Sequence, residues 1–424
     1  MPADGMKIRG LRWYIVGLLC LSTELNYLDR QALSVLAQTI KDELHITTVE
    51  YSHITSAFLA TYTVMYAVSG RLVDFLGTRR SLAIFVSGWS VATILHFFAR
   101  TPVHLAVCRG ALGAMEPGNF PAGVKAVAEW FPMRERALAV GIFNAGTAIG
   151  AALAAPLVSW IALTWGWRHA FVVTGSLGAF WVIAWLLFYR VPREHPRLSA
   201  DELRLIEEGR EESPQIVAAP LRDIIKLRPV WACIVARMLT DPISYFFIFW
   251  TPLFLQQEKG FDLAAIGMYS WIPFVALALG NLAGGAVPAI FINRGWSLNR
   301  ARKTTMFVAS CVVTVSCLAV ARSNSPALAI ALISAAMFCH AAWANITLPA
   351  ELLPRNMIGS VTGLAGAMGG VMGIISQQAI GWTVEHVSFT PVFTVCSFLH
   401  LTAFGAVCLL AGELGKVVRA PSAT

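Results

Sequence analysis

Charge is scarce in this sequence. Asp, Glu, Lys and Arg make up only 13% of its 424 residues, about half of the roughly 25% usual for a soluble domain. That excludes a disordered chain and an ordinary water-soluble enzyme. Cysteine pairs are missing too. The eight cysteines are scattered singly with no CxxC, so neither a zinc site nor a redox site is suggested, and small buried hydrophobes are the simpler reading. There is no GxGxxG and no GxxxxGK[ST], hence no nucleotide site. No cofactor, metal or enzymatic domain is expected. Any work the protein does must draw on an ion gradient rather than ATP.

What is abundant is apolar. Hydrophobic residues reach 57% and mean hydropathy is +0.64. They come in runs long enough to cross a ~30 Å hydrocarbon core as helices. Twelve spans are expected, near 13–36, 52–72, 81–99, 103–128, 138–161, 170–190, 230–255, 264–291, 304–321, 326–349, 358–382 and 391–412. The run after Lys7, Arg9 and Arg12 resembles a signal peptide at its start, but it continues too far and lacks a small-residue cleavage site, so it reads as a retained first span. The glycines from Gly359 to Gly373 fall inside an apolar run and suit close helix packing better than a phosphate loop.

The net charge of +8 is a topology signal, not a nucleic-acid signal. Lys and Arg number 23 in the termini and the loops of the same side, against 5 in the opposite loops. This bias places both termini in the cytoplasm and the chain in the plasma (inner) membrane, multi-pass, with the lipid bilayer as its surroundings and no nucleic acid as partner. A monomer is expected.

A polar segment divides the chain. Residues 190–229 hold eight basic and eight acidic residues, so they read as a solvated mixed-charge loop. Ser199-Ala-Asp-Glu202 has the form of a capping box. The division predicts a six-helix bundle over 1–190, a cytoplasmic linker over 191–229 and a second six-helix bundle over 230–424. The halves echo each other: Trp130-Phe131-Pro132 followed by Gly141 recurs as Leu352-Leu353-Pro354 followed by Gly363. An all-α polytopic fold of two pseudo-symmetric six-helix halves follows, with a substrate path between them.

Charged residues inside spans are costly and are functional candidates by default. Asn26, Tyr27 and Arg30 share one face of the first span. An Arg fork beside amide and hydroxyl groups suits a carboxylate and its neighbouring hydroxyls; a purely structural pair with Asp29 or another acid is the alternative. Arg109 and Glu116 lie seven apart, which puts them on one face of a regular helix, and Gly110, Gly113 and Gly118 let a partner come close. Moving that Arg relative to that Glu is a physical means of binding and releasing a proton; a fixed ion-pair network is the alternative. Weaker candidates for substrate contact are Tyr62, Asn144, Thr147, His340, Trp343, Asn345 and Gln377, with Gln378 beside it; each has helix packing as its competing explanation. His340, as a lone His, suits packing better than proton transfer. Arg237 and Asp241 read as a structural i, i+4 salt bridge, and Glu24 has no evident partner.

Several of these stretches resemble a known family. Gly70-Arg-Leu72-Val-Asp74-Phe-Leu-Gly77-Thr-Arg79-Arg80 resembles the loop signature of the major facilitator superfamily. Asn26-Tyr27-Leu28-Asp29-Arg30, Arg109-Gly110-Ala-Leu-Gly113-Ala-Met-Glu116 and Glu129-Trp130-Phe131-Pro132-Met-Arg-Glu135-Arg136 leading to Asn144 and Thr147 are similar to its anion:cation symporter family. Gly10-Leu-Arg-Trp13-Tyr14 and His340-Ala-Ala-Trp343 look most like the hexuronate transporter branch, and Thr147 leans the same way. The resemblance covers about Gly10 to Glu413. In the second-half copy of the loop signature the Asp is absent, and Pro288 stands about where it would fall. The resemblance implies proton coupling at Asp29 and Glu116, modulated by Arg109, and gating at Asp74, Arg79 and Arg80.

A proton-coupled symporter that imports a sugar acid by alternating access is therefore expected. A hexuronate such as galacturonate or glucuronate is the leading substrate, and the partners are a small organic anion and protons. An aldonate, an aldarate, an aromatic acid or proton-driven efflux are the alternatives within transport; a membrane sensor is the alternative outside it.

Overall fold

The computed structural model describes residues 7–208, 221–343 and 348–416. It is all-helical over those residues. The first span is Leu11–Val35, continued by Ala37–Leu44. The second to sixth are Thr48–Leu76, Thr78–Leu95, Pro102–Trp130, Met133–Trp165 and Trp167–Phe188. The seventh is Arg228–Lys259. The eighth is Leu263–Tyr269 continued by Ile272–Asn293, and the ninth is Leu298–Arg322. The tenth is Pro326–Ala342 with Leu348–Leu352 beyond it. The eleventh and twelfth are Arg355–His386 and Phe389–Leu410.

Local chemistry sets these boundaries. Thr47 and Glu50 form a reciprocal capping box at the start of the second span, satisfying two otherwise orphan N–H groups. Gly77 and Gly166 each join two spans in a single residue at positive φ, 75° and 89°, a conformation that Cβ disfavours. Pro132 and Pro354 start the fifth and eleventh spans with nearly identical backbone angles, φ −63° ψ 153° and φ −66° ψ 153°. The repeat seen in sequence is thus a repeat in geometry.

Among the described residues, eight helices are long and apolar enough to cross a membrane by length and composition alone. The first, second, fourth and tenth spans do not reach that standard. The first carries Glu24, Asp29 and Arg30. The fourth breaks at a 3₁₀ turn, Glu116–Gly118. Charged groups lower the apolarity of the first span, whereas the tenth, Pro326–Ala342, is apolar and falls short in length.

Packing repeats between the halves. The first span lies along the fifth, the second along the fourth and the third along the sixth; the seventh lies along the eleventh, the eighth along the tenth and the ninth along the twelfth. Small residues permit this. A Cβ on Gly113 would stand 2.3 Å from the Phe58 carbonyl oxygen, and one on Gly150 would stand 2.1 Å from that of Glu24. Of the later glycines, Gly370 and Gly373 pack on Thr63 and Tyr245, while Gly359 and Gly363 meet nothing within 4 Å.

The short helix Ala200–Glu207 seats part of the linker against the first span. Ser199 does accept from the Glu202 N–H at 3.2 Å, but the Glu202 side chain does not return to Ser199. It is buried, takes hydrogen bonds from the backbone N–H groups of Gly10, Leu11 and Arg12, and pairs with the Arg12 guanidinium at 2.8 Å. An anion at the first span's N-terminus satisfies its orphan donors and opposes the helix dipole.

The halves are bonded at one end only. Call the face bearing residues 7–10 and 412–416 the terminal face, and the other the far face. Among the described residues, side-chain hydrogen bonds between the halves all lie toward the far face. Tyr51 donates to the Phe249 carbonyl at 2.8 Å, and the Thr48 N–H donates to Glu385 at 2.5 Å. Thr55 donates to Gln377 at 3.0 Å, Gln378 to Ser56 at 2.6 Å, and Gln257 to Gln38 at 2.8 Å. The bundle is closed there.

Candidate functional site

The charged cluster forms where the first and fourth spans meet. Arg30 directs Nε and Nη2 at one carboxylate oxygen of Glu116, Oε2, at 2.8 and 2.6 Å. Its Nη2 also reaches Asn26 Oδ1 at 3.4 Å. Three aromatic rings cover the guanidinium: Tyr27 at 4.5 Å, Tyr62 at 4.9 Å and Phe58 at 5.3 Å to the ring centroids. Ring faces stabilise a cation, and more so when it is desolvated. Arg30 is 5% exposed and Glu116 fully buried.

Arg109 corrects an expectation. Among the described residues it makes no hydrogen bond or ion pair with Glu116; its Nη1 donates to the Arg30 backbone carbonyl at 3.1 Å, and its Nε and Nη2 lack partners there. The reason is local. Pro117 and Gly118 tighten the helix into a 3₁₀ turn at Glu116, which rotates the side chain off the regular face that a seven-residue step assumes. Arg30 takes the place assigned to Arg109. Asp29 points the other way, toward the hydroxyls of Thr93 of the third span and Thr174 of the sixth.

Other candidates are separate. Asn144 is exposed, and Thr147 donates only to the Asn144 carbonyl at 2.8 Å. His340 is not alone: its Nδ1 lies 3.1 Å from Nε2 of His400. Trp343 is buried and donates from Nε1 to Ser310 at 3.0 Å, which braces the tenth span against the ninth. Asn345 lies outside the described residues. Gln377, expected at the substrate, is fully buried; its Oε1 accepts from Thr55 of the other half and from Trp250 at 2.8 Å. Here it fastens the far face. Arg237 and Asp241 make the expected i, i+4 pair at 2.8 Å.

At the terminal face, Asp74 is bonded by Lys125 of the fourth span at 2.8 Å, not by Arg79 or Arg80. Arg79 donates to the Leu186 carbonyl at 2.5 Å. The sequence also holds a matched pair of acids. Glu129 and Glu351 each stand three residues before the matched prolines Pro132 and Pro354. Thr78 and Tyr189 donate to Glu129, and Arg302 pairs with Glu351 at 2.7 Å. Each acid ties the end of the fourth or tenth span to the start of the third or ninth. The internal repeat was the signal for them. Phe58 and His400 had no local signal, since only tertiary packing brings them to Arg30 and His340.

Two pseudo-symmetric six-helix halves, the first holding a buried ion pair, mark a polytopic membrane protein. The sequence matches the Major Facilitator Superfamily over residues 19–377, and the chain belongs to that family of non-enzymatic transporters. It is 36% identical to the hexuronate transporter of Escherichia coli (strain K12) over 401 residues, 93% of each chain. It is 40% identical to the galacturonate transporter of Dickeya chrysanthemi over 288 residues, 67% of this chain and 84% of that one. In fold it is similar to the crystal structure of a bacterial homolog to the human lysosomal transporter Spinster, with a TM-score of 0.72 over 95% of each chain at 17% identity.

Proposed function

We propose that this protein is a proton-coupled symporter of the plasma (inner) membrane that imports a sugar acid by alternating access. A hexuronate such as galacturonate or glucuronate is the substrate. The observation that carries this reading is the Arg30–Glu116 pair under the Tyr27, Tyr62 and Phe58 rings. A guanidinium beside aromatic and hydroxyl groups suits a carboxylate on a polyhydroxylated ring. The relatives named hexuronate and galacturonate transporter support the same substrate class.

The chemistry follows from competition. Glu116 holds Arg30 while it is ionised. A substrate carboxylate can take Arg30 once Glu116 is protonated, because a neutral acid no longer compensates the buried cation. Substrate and proton are thereby linked. Asp29 is the second proton carrier, and Arg109, fixed to the Arg30 backbone, positions that residue. The two halves, 1–190 and 230–424, rock about the midplane site while the 191–229 linker stays cytoplasmic. Both termini are cytoplasmic, so the closed far face is the outer one and the site opens inward. Asp74, Lys125, Arg79 and Arg80 gate the inner side. The protein works as a monomer.

Uptake of labelled galacturonate and glucuronate into proteoliposomes under an imposed proton gradient tests the reading. Accumulation of either that collapses when a protonophore is added is the expected result. Accumulation of galactonate or galactarate alone would move the substrate to an aldonate or aldarate. Binding without accumulation would make the protein a sensor.

A further inference from the structure

The seventh span carries a second ion pair, Arg237–Asp241, built like the first. Arg237 directs Nε and Nη2 at one oxygen, Asp241 Oδ2, at 2.9 and 2.8 Å, as Arg30 does at Glu116 Oε2. The Arg237 side chain stays 27% exposed, and among the described residues neither its Nη1 nor Asp241 Oδ1 makes a further hydrogen bond. Helix spacing sets where the pair lies. Arg237, Asp241, Tyr245 and Phe249 follow at four-residue steps on one face of the seventh span, and Phe58, Tyr62 and Tyr66 do so on the second. These two faces run in opposite directions along the seam between the halves.

Phe58 meets Phe249 at 5.9 Å between ring centroids. Two turns nearer the terminal face, Tyr66 and Arg237 meet at Gly366 of the eleventh span: a Cβ there would stand 3.8 Å from the Tyr66 ring and 4.0 Å from Arg237 Nη2. Gly369 and Gly373 seat Asp241 and Tyr245 in the same way, with atoms of each 2.1 and 2.6 Å from where a Cβ would stand. Exposure rises along the second span's face, from 1% at Phe58 to 45% at Tyr66, so the seam widens toward the terminal face. The two ion pairs therefore meet one path at two levels. Tyr62 covers Arg30 at 4.9 Å and stacks on Tyr66 at 6.2 Å, and Tyr66 adjoins Arg237. One turn of helix, about 6 Å for four residues, separates the levels of Tyr62 and Tyr66. That is the scale of a six-carbon acid whose carboxylate is held by Arg30.

Charge decides what the far end of that acid can be. Arg237 and Asp241 stand on one helix at i, i+4, so their pairing needs no other element and travels with the C-terminal half. A neutral Arg–Asp pair both donates to and accepts from hydroxyls. A second carboxylate would meet Asp241 as well as Arg237, and like charges brought together in a desolvated site are costly. We propose that the Arg237–Asp241 pair is the distal subsite of the substrate path: it binds the hydroxyls at the end of the sugar acid remote from Arg30, and Asp241 excludes sugar acids that carry a carboxylate at both ends. This rests on the hexuronate reading above and adds to it a reason for selecting a monocarboxylate. Exclusion comes from an element that repels the wrong ligand, not from tighter contacts to the right one.

The test is competition against counterflow of labelled galacturonate in proteoliposomes of the full chain. For wild type, galactarate, which has the same six carbons and a carboxylate at each end, should compete about tenfold or more weakly than galacturonate. Its monoamide hides one charge at the same length and should compete within about threefold of galacturonate. Equal competition by galactarate and its monoamide overturns the proposal without any variant. Asp241→Asn keeps the shape and uncovers the Arg237 charge, so galactarate should gain about tenfold relative to galacturonate. Arg237→Gln with Asp241→Asn removes both charges, which costs far less than stranding one of them, and that gain should disappear. A purely structural bridge predicts all three ligands weakened in proportion in Asp241→Asn, and that unchanged ratio overturns the proposal. A wild-type chain that carries galactarate and not galacturonate defeats the hexuronate reading instead, and the exclusion falls with it.

Discussion

Arg30 spends two of its donors on a single oxygen of Glu116, Oε2, and leaves Oε1 without a partner among the described residues. The pair is therefore one-sided: strong enough to hold the guanidinium, yet short of the fork-to-fork geometry in which both carboxylate oxygens are used. A substrate carboxylate can offer the second oxygen that Glu116 withholds. The roles proposed for these residues lead to the following expected outcomes.

Arg30→Lys keeps a charge opposite Glu116 but loses the planar fork and much of the stacking under Tyr27 and Tyr62. Sugar-acid affinity should drop by about tenfold or more while the protein still inserts and purifies, consistent with a lost charge-assisted hydrogen bond of about 1.5–3 kcal/mol. Arg30→Ala should be worse in stability as well, since removing one partner of a buried pair costs about 3–5 kcal/mol. Isothermal titration of Arg30→Lys with galacturonate decides it; wild-type affinity removes Arg30 from the substrate site.

Glu116→Gln mimics the protonated acid. Arg30 is then free for substrate in every state, so binding should persist and lose most of its pH dependence, because linkage between two ligands is reciprocal. Accumulation against a gradient should fail. Equilibrium binding measured from pH 5 to pH 8, beside proton-driven uptake, separates this from a structural role. Intact accumulation leaves Asp29 as the carrier.

The far face must open for transport to proceed. Gln38 and Gln257 meet there across the halves at 2.8 Å. In a chain freed of its native cysteines, Gln38→Cys with Gln257→Cys, joined by a short reducible cross-linker, should stop uptake, and a reductant should restore it. Gln377→Leu removes the acceptor shared by Thr55 and Trp250 and should raise labelling of far-face cysteines. Undiminished uptake in the cross-linked protein would contradict a closed outer gate.

Sidedness is checked by single cysteines. Arg193→Cys should react with an impermeant thiol reagent only from the cytoplasm, and Glu258→Cys, on an exposed far-face residue, only from outside. The reverse pattern inverts the topology.

Beyond the apolar part of the first span, Glu43 is bonded by Arg168 and by the Trp167 indole N–H. The Arg168 hydrogen bond is the main reason its carboxyl sits below the ordinary carboxylate range. A depressed acid stabilises the fold above its unfolded pKa and loses that contribution as pH falls through the folded value. The side chain is 48% exposed, so the effect is small, about 1 kcal/mol at most after screening. Glu43→Gln should lower the melting temperature slightly at pH 7, and the difference should vanish well below pH 4.5, the ordinary value for Glu. A difference that persists there would show that the contact is not ionic.

Much of this protein was legible without coordinates. Apolar runs bounded by Thr47, Thr101, Gly77 and Gly166 define helices, because capping and positive-φ chemistry act within a few residues. The internal repeat around Pro132 and Pro354 announced two like halves, since equal local sequence makes equal local geometry. Arg30, Asp29 and Glu116 stood out because a charge is costly in a membrane span wherever the span packs. Within one helix the Arg237–Asp241 pair was legible; who pairs with whom between helices was not. A 3₁₀ turn at Pro117 moved Glu116 from Arg109 to Arg30, Lys125 reached Asp74, and His400 met His340 from sixty residues away. Gln377 became a fastening between halves because the second and eleventh spans close on each other at the far face. Those pairings depend on the rotation and approach of whole helices, which periodicity along one helix cannot express and which only packing against the others decides.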